Sequence, residues 1–174
     1  MRTIPITSAF YIDNGELRWA KRGQDQFCST KACAKWNSRY AGKAAGSDDP
    51  VNGYSRVFLN GKSLMSHRVI WILTNGPIPN GMQIDHINGN RSDNRVGNLR
   101  IASHGENQLN TKIRKSNSSG IKGVSWRPLS KKWQARVSVN GKQESLGYFT
   151  TLAAAEVAAK AARDSSHGQF ANHG

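Results

Sequence analysis

The stretch 84–107, IDHINGNRSDNRVGNLRIASHGEN, concentrates groups that bind metal, move protons or turn the backbone. Asp85 and His86 are adjacent, and Asn98 and Asn107 follow downstream. A loop that only reverses the chain needs no acidic residue, histidine and distant amide at fixed separations. A site for a hard cation does, because magnesium takes oxygen ligands and keeps several of its waters. A neutral imidazole beside such an ion can accept a proton near pH 7. Gly89, Asn90, Asn94 and Gly97 supply turn chemistry. The plainer alternative is that Asp85 and His86 cap this loop and touch nothing reactive.

The pattern DH…N…N, with HRVIW upstream from His67 to Trp71, resembles the HNH nucleases in the branch whose last motif position is Asn rather than His. The resemblance runs from about Gly53 to Asn110, and its joint spacing is far more specific than a lone Asp-His pair. It implies a ββα-metal element, two strands and a helix around one divalent ion, Mg2+ or Mn2+. It also implies Asp85 and Asn107 as metal ligands, His86 as general base, and Asn98 as a loop residue bracing His86 through hydrogen bonds. The chemistry fits these residue types. Phosphodiester cleavage needs an activated water, a cation on the scissile phosphate and help for the leaving oxygen. One carboxylate and one amide carbonyl leave coordination positions open for water and phosphate.

The 174-residue chain has room for one domain or two small ones. Its net charge of +14 and pI near 10.3 mark a partner that is polyanionic. No apolar run approaches the ~20 residues of a membrane span, and MRTIPITSAF lacks the apolar core of a signal peptide. The expectation is a protein of the cytoplasm, the host's if phage-encoded, acting on double-stranded DNA with no membrane and no small-molecule cofactor. Cys28 and Cys33 lack the second pair that a tetrahedral zinc site requires, and reduced thiols are expected.

The elements that must position the site follow from local patterns. Residues 8–20 predict a hairpin, with Phe10, Ile12, Leu17 and Trp19 around Asp13-Asn14-Gly15. Residues 31–39 predict a short helix, 42–50 a loop, and Trp36 a packed aromatic. Residues 21–50 have no assigned role. Gly53 to Leu59 and Ser63 to Ser66 predict two strands around Asn60-Gly61, followed by a helix over 67–73 that ends near Asn75-Gly76-Pro77. His67 is expected to make a structural hydrogen bond, and Arg68 either reaches a phosphate or is solvated. Strands are expected at 83–85 and 98–101, then a helix capped by Ser103 and carrying Asn107. Arg100 either stabilises the scissile phosphate or contacts the DNA backbone.

Residues 111–119 read as a flexible basic linker in which Lys112, Arg114 and Lys115 lie along phosphates. From Gly120 the chain predicts three strands, 121–127, 132–139 and 143–149, then an alanine-rich helix over 151–166 capped by Thr150 or Thr151. The GV pair, the tryptophan strand, LGYF and the alanine helix resemble the DNA-binding domain of plant ethylene-response (APETALA-type) factors, over about 119–170. Alternation in 133–139 turns the odd, apolar positions toward the helix. Gln134, Arg136 and Ser138 then share the other face with Ser125, Arg127, Gln143 and Ser145, beside Lys132. Such a polar, partly basic sheet suits the DNA major groove. Residues 112–174 carry 11 basic and 3 acidic side chains, against 14 and 8 in residues 1–111.

The expected protein is therefore α+β: an HNH nuclease domain with its N-terminal hairpin (1–110), the linker (111–119) and an APETALA-type DNA-binding domain (120–174). The pairing resembles homing endonucleases of phages, which implies a monomer or weak dimer nicking one strand per active site. A DNA-binding regulator with a vestigial HNH element is the alternative.

Overall fold

The computed structural model describes residues 4–174, a mixed α/β chain that divides into two compact units, Met1–Ile101 and Ala102–Gly174. In the first, a helical turn α1 (Ile6–Ala9) leads into the hairpin of β1 (Phe10–Asp13) and β2 (Glu16–Trp19), paired Phe10 to Trp19 and Asp13 to Glu16. Asn14 and Gly15 both take positive φ, 50° and 80°, as a two-residue turn of this twist demands. Helix α2 (Thr30–Tyr40) is capped by Ser29, whose hydroxyl accepts from the Ala32 N–H at 3.2 Å.

A second sheet, in the order β3-β4-β5, joins β3 (Ser47–Asp48), β4 (Ser55–Leu59) and β5 (Lys62–Met65). The expected loop at 42–50 thus contributes an edge strand. Gly46 makes this possible: its φ is +104°, and a side chain there would meet the Arg56 carbonyl at 3.0 Å. Helix α3 (Ser66–Asn75) packs Val69 and Ile70 into a core with Phe10, Leu17, Val57, Leu59, Ile84 and Leu99. Each such burial contributes about 1.5–3 kcal/mol. That core fixes the strand pair β6 (Gln83–His86) and β7 (Leu99–Ala102), because Ile84 and Leu99 anchor one strand each. A 3₁₀ turn, Val96–Asn98, delivers the chain into β7.

The second unit begins with α4 (His104–Leu109), closed by a reciprocal cap: Ser103 Oγ accepts from the Glu106 N–H, and the Glu106 carboxylate accepts from the Ser103 N–H at 2.7 Å. Its antiparallel sheet, ordered β10-β9-β8, comprises β8 (Val124–Arg127), β9 (Lys132–Val139) and β10 (Lys142–Phe149). Helix α5 (Leu152–His167), capped by Thr151, lies on it. Ala155 and Ala159 are fully buried against Val124 and Ala135, so small side chains bring helix and sheet together. β10 carries a bulge between Ser145 and Gly147, which shifts the register and sets Tyr148 opposite Gln134.

The segment expected to be a flexible linker is tied down. Asn117 Oδ1 accepts from the backbone N–H groups of Ser119 and Gly120, both at 2.9 Å. The Lys122 ammonium donates to the carbonyls of Leu109 (2.8 Å) and Thr111 (2.6 Å), and the buried Arg163 donates to the Lys122 carbonyl. Side chains distant in sequence thus supply the hydrogen bonds that hold this segment.

Candidate active site

Asp85 and His86 end β6, and both are buried, at 5% and 4% exposure. Strand alternation turns neighbouring side chains to opposite faces, and each of the two has its own partners. Nε and Nη2 of Arg100, on β7, both donate to Asp85 Oδ2 at 2.8 Å. Of the two sequence readings for Arg100, both external, neither anticipates this internal ion pair. A lone buried carboxylate would be strongly disfavoured, and the guanidinium offsets that.

His86 Nε2 lies 3.0 Å from Asn94 Oδ1. With the amide oxygen turned to the ring, the matching tautomer carries its proton on Nε2 and its lone pair on Nδ1. Asn98, expected to brace the ring through hydrogen bonds, bonds the loop with its side chain instead. Its Nδ2 donates to Asn88 Oδ1 (3.0 Å) and to the Asp93 carbonyl (2.7 Å), and its Oδ1 accepts from the Asn88 N–H. Its own carbonyl accepts from the Ile87 N–H at 2.8 Å. Asn98 therefore shapes the 88–93 loop that brings Asn94 to the ring. Asp93 completes the loop by taking both Nε and Nη2 of Arg95, at 2.8 and 2.7 Å, which holds its carboxyl far below the usual range.

Behind His86 lie two more rings. His67 is 5.0 Å away, edge-on at 72°, and Tyr54 is 6.0 Å away. His67 is buried, and its Nδ1 has no hydrogen-bond partner, contrary to the structural bond expected for it. Burial, then the nearby His86 and Arg68, push its pKa down to about 4, so it is neutral at pH 7. The Arg91 guanidinium sits 4.8 Å over the Tyr54 ring. Sequence reasoning missed Asn94 as a ring partner, along with Tyr54 and Arg91. Asn94 was visible only as one of several turn-forming residues, and the other two offered no spacing signal.

Asn107 lies on α4 in the second unit, half-buried, its N–H bonded to the Ser103 carbonyl at 3.0 Å. Arg68 is exposed on α3. Lys112, Arg114 and Lys115 are exposed on the tied segment, as are Lys132 and Gln143 on the sheet. Arg136 and Ser138 are half-buried. Gln134 is buried, its amide accepting from Arg127 Nε at 2.7 Å and donating to Tyr148 Oη at 3.3 Å.

The donor chemistry fits a hard divalent ion. Asp85 offers a carboxylate and Asn107 an amide oxygen. Among the described residues no three His, Cys, Asp or Glu side chains come together as a chelating cluster. Cys28 and Cys33 are both free, and Cys33 packs beneath Arg22.

A family model described as HNH endonuclease matches residues 65–109, which include Asp85, His86, Asn98 and Asn107. Protein 3.8 of Escherichia phage T7 is 42% identical over 112 residues, covering 63% of this chain and 90% of that protein. A protein of Acanthamoeba polyphaga mimivirus named as an uncharacterized HNH endonuclease is 34% identical over 91 residues, 52% of this chain and 46% of its own length. No solved structure matches the chain. Among the described residues no helix is long and apolar enough to cross a membrane. The chain belongs to the family of phage T7 Protein 3.8 and carries an HNH endonuclease domain at residues 65–109.

Proposed function

We propose that this chain hydrolyses phosphodiester bonds of double-stranded DNA with His86 as general base, acting as a homing-type endonuclease in the cytoplasm of an infected host. The observation that carries the reading is the buried pair at the end of β6, with the His86 ring held by Asn94 at 3.0 Å. Nδ1 takes a proton from the attacking water while Asn94 holds the ring in place. Asp85 and Asn107 are the residues that would hold Mg2+ or Mn2+, and a bound ion would supply a lowered water pKa and charge neutralisation at the scissile phosphate. Arg100 orients the Asp85 carboxylate by donating from Nε and Nη2 to Oδ2.

The polar face of the C-terminal sheet, with Arg127, Lys132, Arg136, Ser138 and Gln143, positions the duplex in the manner of an APETALA-type domain. Arg127 and Tyr148 sandwich Gln134, so the guanidinium and the exposed phenol make the first contacts, and Gln134 orients them. One catalytic centre in a monomer or weak dimer nicks one strand at a time.

The test is supercoiled plasmid with and without Mg2+. Wild type converts it to open circles only with the metal, and His86→Ala binds the DNA without cutting. Full cutting by His86→Ala removes the general-base role. Absence of cutting by wild type with every divalent ion leaves a binding protein.

A further inference from the structure

Residues 21–43 hold six basic side chains and one acidic one, whereas the rest of residues 1–111 holds eight and seven. The positive charge of the N-terminal part is thus packed into the segment for which the sequence suggested no role. Its structure explains how that charge is displayed. Trp36 and Tyr40 on α2 pack at 5.5 and 6.4 Å from the Trp19 ring, and Cys33 is buried on the same side. Asn37 clamps the segment after β2 with two bonds to the Arg22 backbone, both 2.9 Å. The Arg22 guanidinium lies 4.0 Å over Trp36.

With residues 33, 36, 37 and 40 facing inward, Lys31, Lys35 and Arg39 share the outward face, four residues apart and all exposed. None is in an ion pair among the described residues, and α2 contains no acidic side chain. Like charges at this spacing disfavour a helix, so the row is not there to stabilise α2. At 1.5 Å per residue the three span about 12 Å, the length over which each strand of B-DNA presents about three or four phosphates.

From this we infer that the Lys31-Lys35-Arg39 face of α2 is a second duplex-binding surface, gripping the DNA backbone independently of the C-terminal sheet. The inference rests on the DNA reading above and adds where the N-terminal unit holds its substrate. These are phosphate contacts, which set position and affinity without reading sequence.

The experiment measures binding of the full chain to a short duplex across salt concentrations. Each phosphate contact contributes about 0.9 to the slope of log K against log salt. Lys31→Ala/Lys35→Ala/Arg39→Ala should therefore lower that slope by about 2–3 and weaken binding at least tenfold at ~0.1 M salt. Alanine favours helix, and circular dichroism verifies that α2 persists. Lys62→Ala, from the charge-balanced remainder, should leave the slope in place. An unchanged slope in the triple variant overturns the inference while leaving the nuclease reading intact. So does a loss per charge equal to that of Lys62→Ala, or a loss seen with duplex RNA but not with DNA. Failure of wild type to bind duplex DNA at all removes both.

Discussion

Acidification should destabilise the first unit through His67. In an unfolded chain this histidine titrates near 6.5, whereas burial behind His86, with His86 and Arg68 nearby, brings it down to about 4 in the fold. Because the folded pKa is depressed, the unfolded state binds the extra proton between those two values. The stabilising contribution is therefore complete above about pH 6.5, falls as pH drops toward 4, and is lost below that. One pKa unit is worth about 1.4 kcal/mol, so the full loss is roughly 3 kcal/mol, and going from pH 7 to 5 costs about 2 kcal/mol. That is a substantial fraction of a small domain's stability. His67→Asn removes the titration and should flatten this slope. Amide exchange at Val69 and Ile70 on α3 reads the opening of the first unit by itself, and an NMR titration of the His67 ring reads the pKa directly. A ring midpoint near 6.5, or a wild-type slope retained in His67→Asn, would refute the reasoning.

Two glycines with positive φ should respond very differently to alanine. At Gly123 an added Cβ would sit 2.4 Å from the Arg136 carbonyl, whereas at Gly141 it meets nothing within 4 Å. Gly141→Ala should cost only the left-handed backbone, about 1–2 kcal/mol, and Gly123→Ala several kcal/mol more, both read by urea unfolding of the second unit. At the site, Asn94→Ala should reduce plasmid cutting by about 10–100-fold with DNA binding retained. Asn94→Asp should recover part of that loss while moving the acid limb of the pH–rate profile upward, because a carboxylate favours the imidazolium. If Asn94→Ala cuts as fast as wild type, the Nε2 hydrogen bond has no catalytic part.

Local chemistry made much of this molecule legible in advance. The Asn-Gly turns at 14, 60 and 140 define their hairpins because only residues tolerant of positive φ close two-residue loops. The Ser103 cap and the alternation of strand 132–139 are local in the same sense: each is set within a few residues. The edge strand at Ser47–Asp48 was not legible, since its pairing depends on Gly46 fitting under a carbonyl ten residues away. The tying of residues 111–119 escaped for the same reason, resting on Lys122 and Arg163.

The candidate site divides along that line. Residue types, spacing and the resemblance they carry marked Asp85, His86, Asn98 and Asn107 as the candidate constellation, and the HNH endonuclease model spans all four. Tertiary structure decided how the residues within the first unit are used. It put Arg100 on Asp85, gave the His86 ring to Asn94 rather than Asn98, and buried an uncharged His67 behind it. Hydrogen-bond partners and burial are properties of distance in space, and a one-dimensional pattern carries no record of which of several asparagines in a loop will arrive within 3.0 Å of a ring nitrogen.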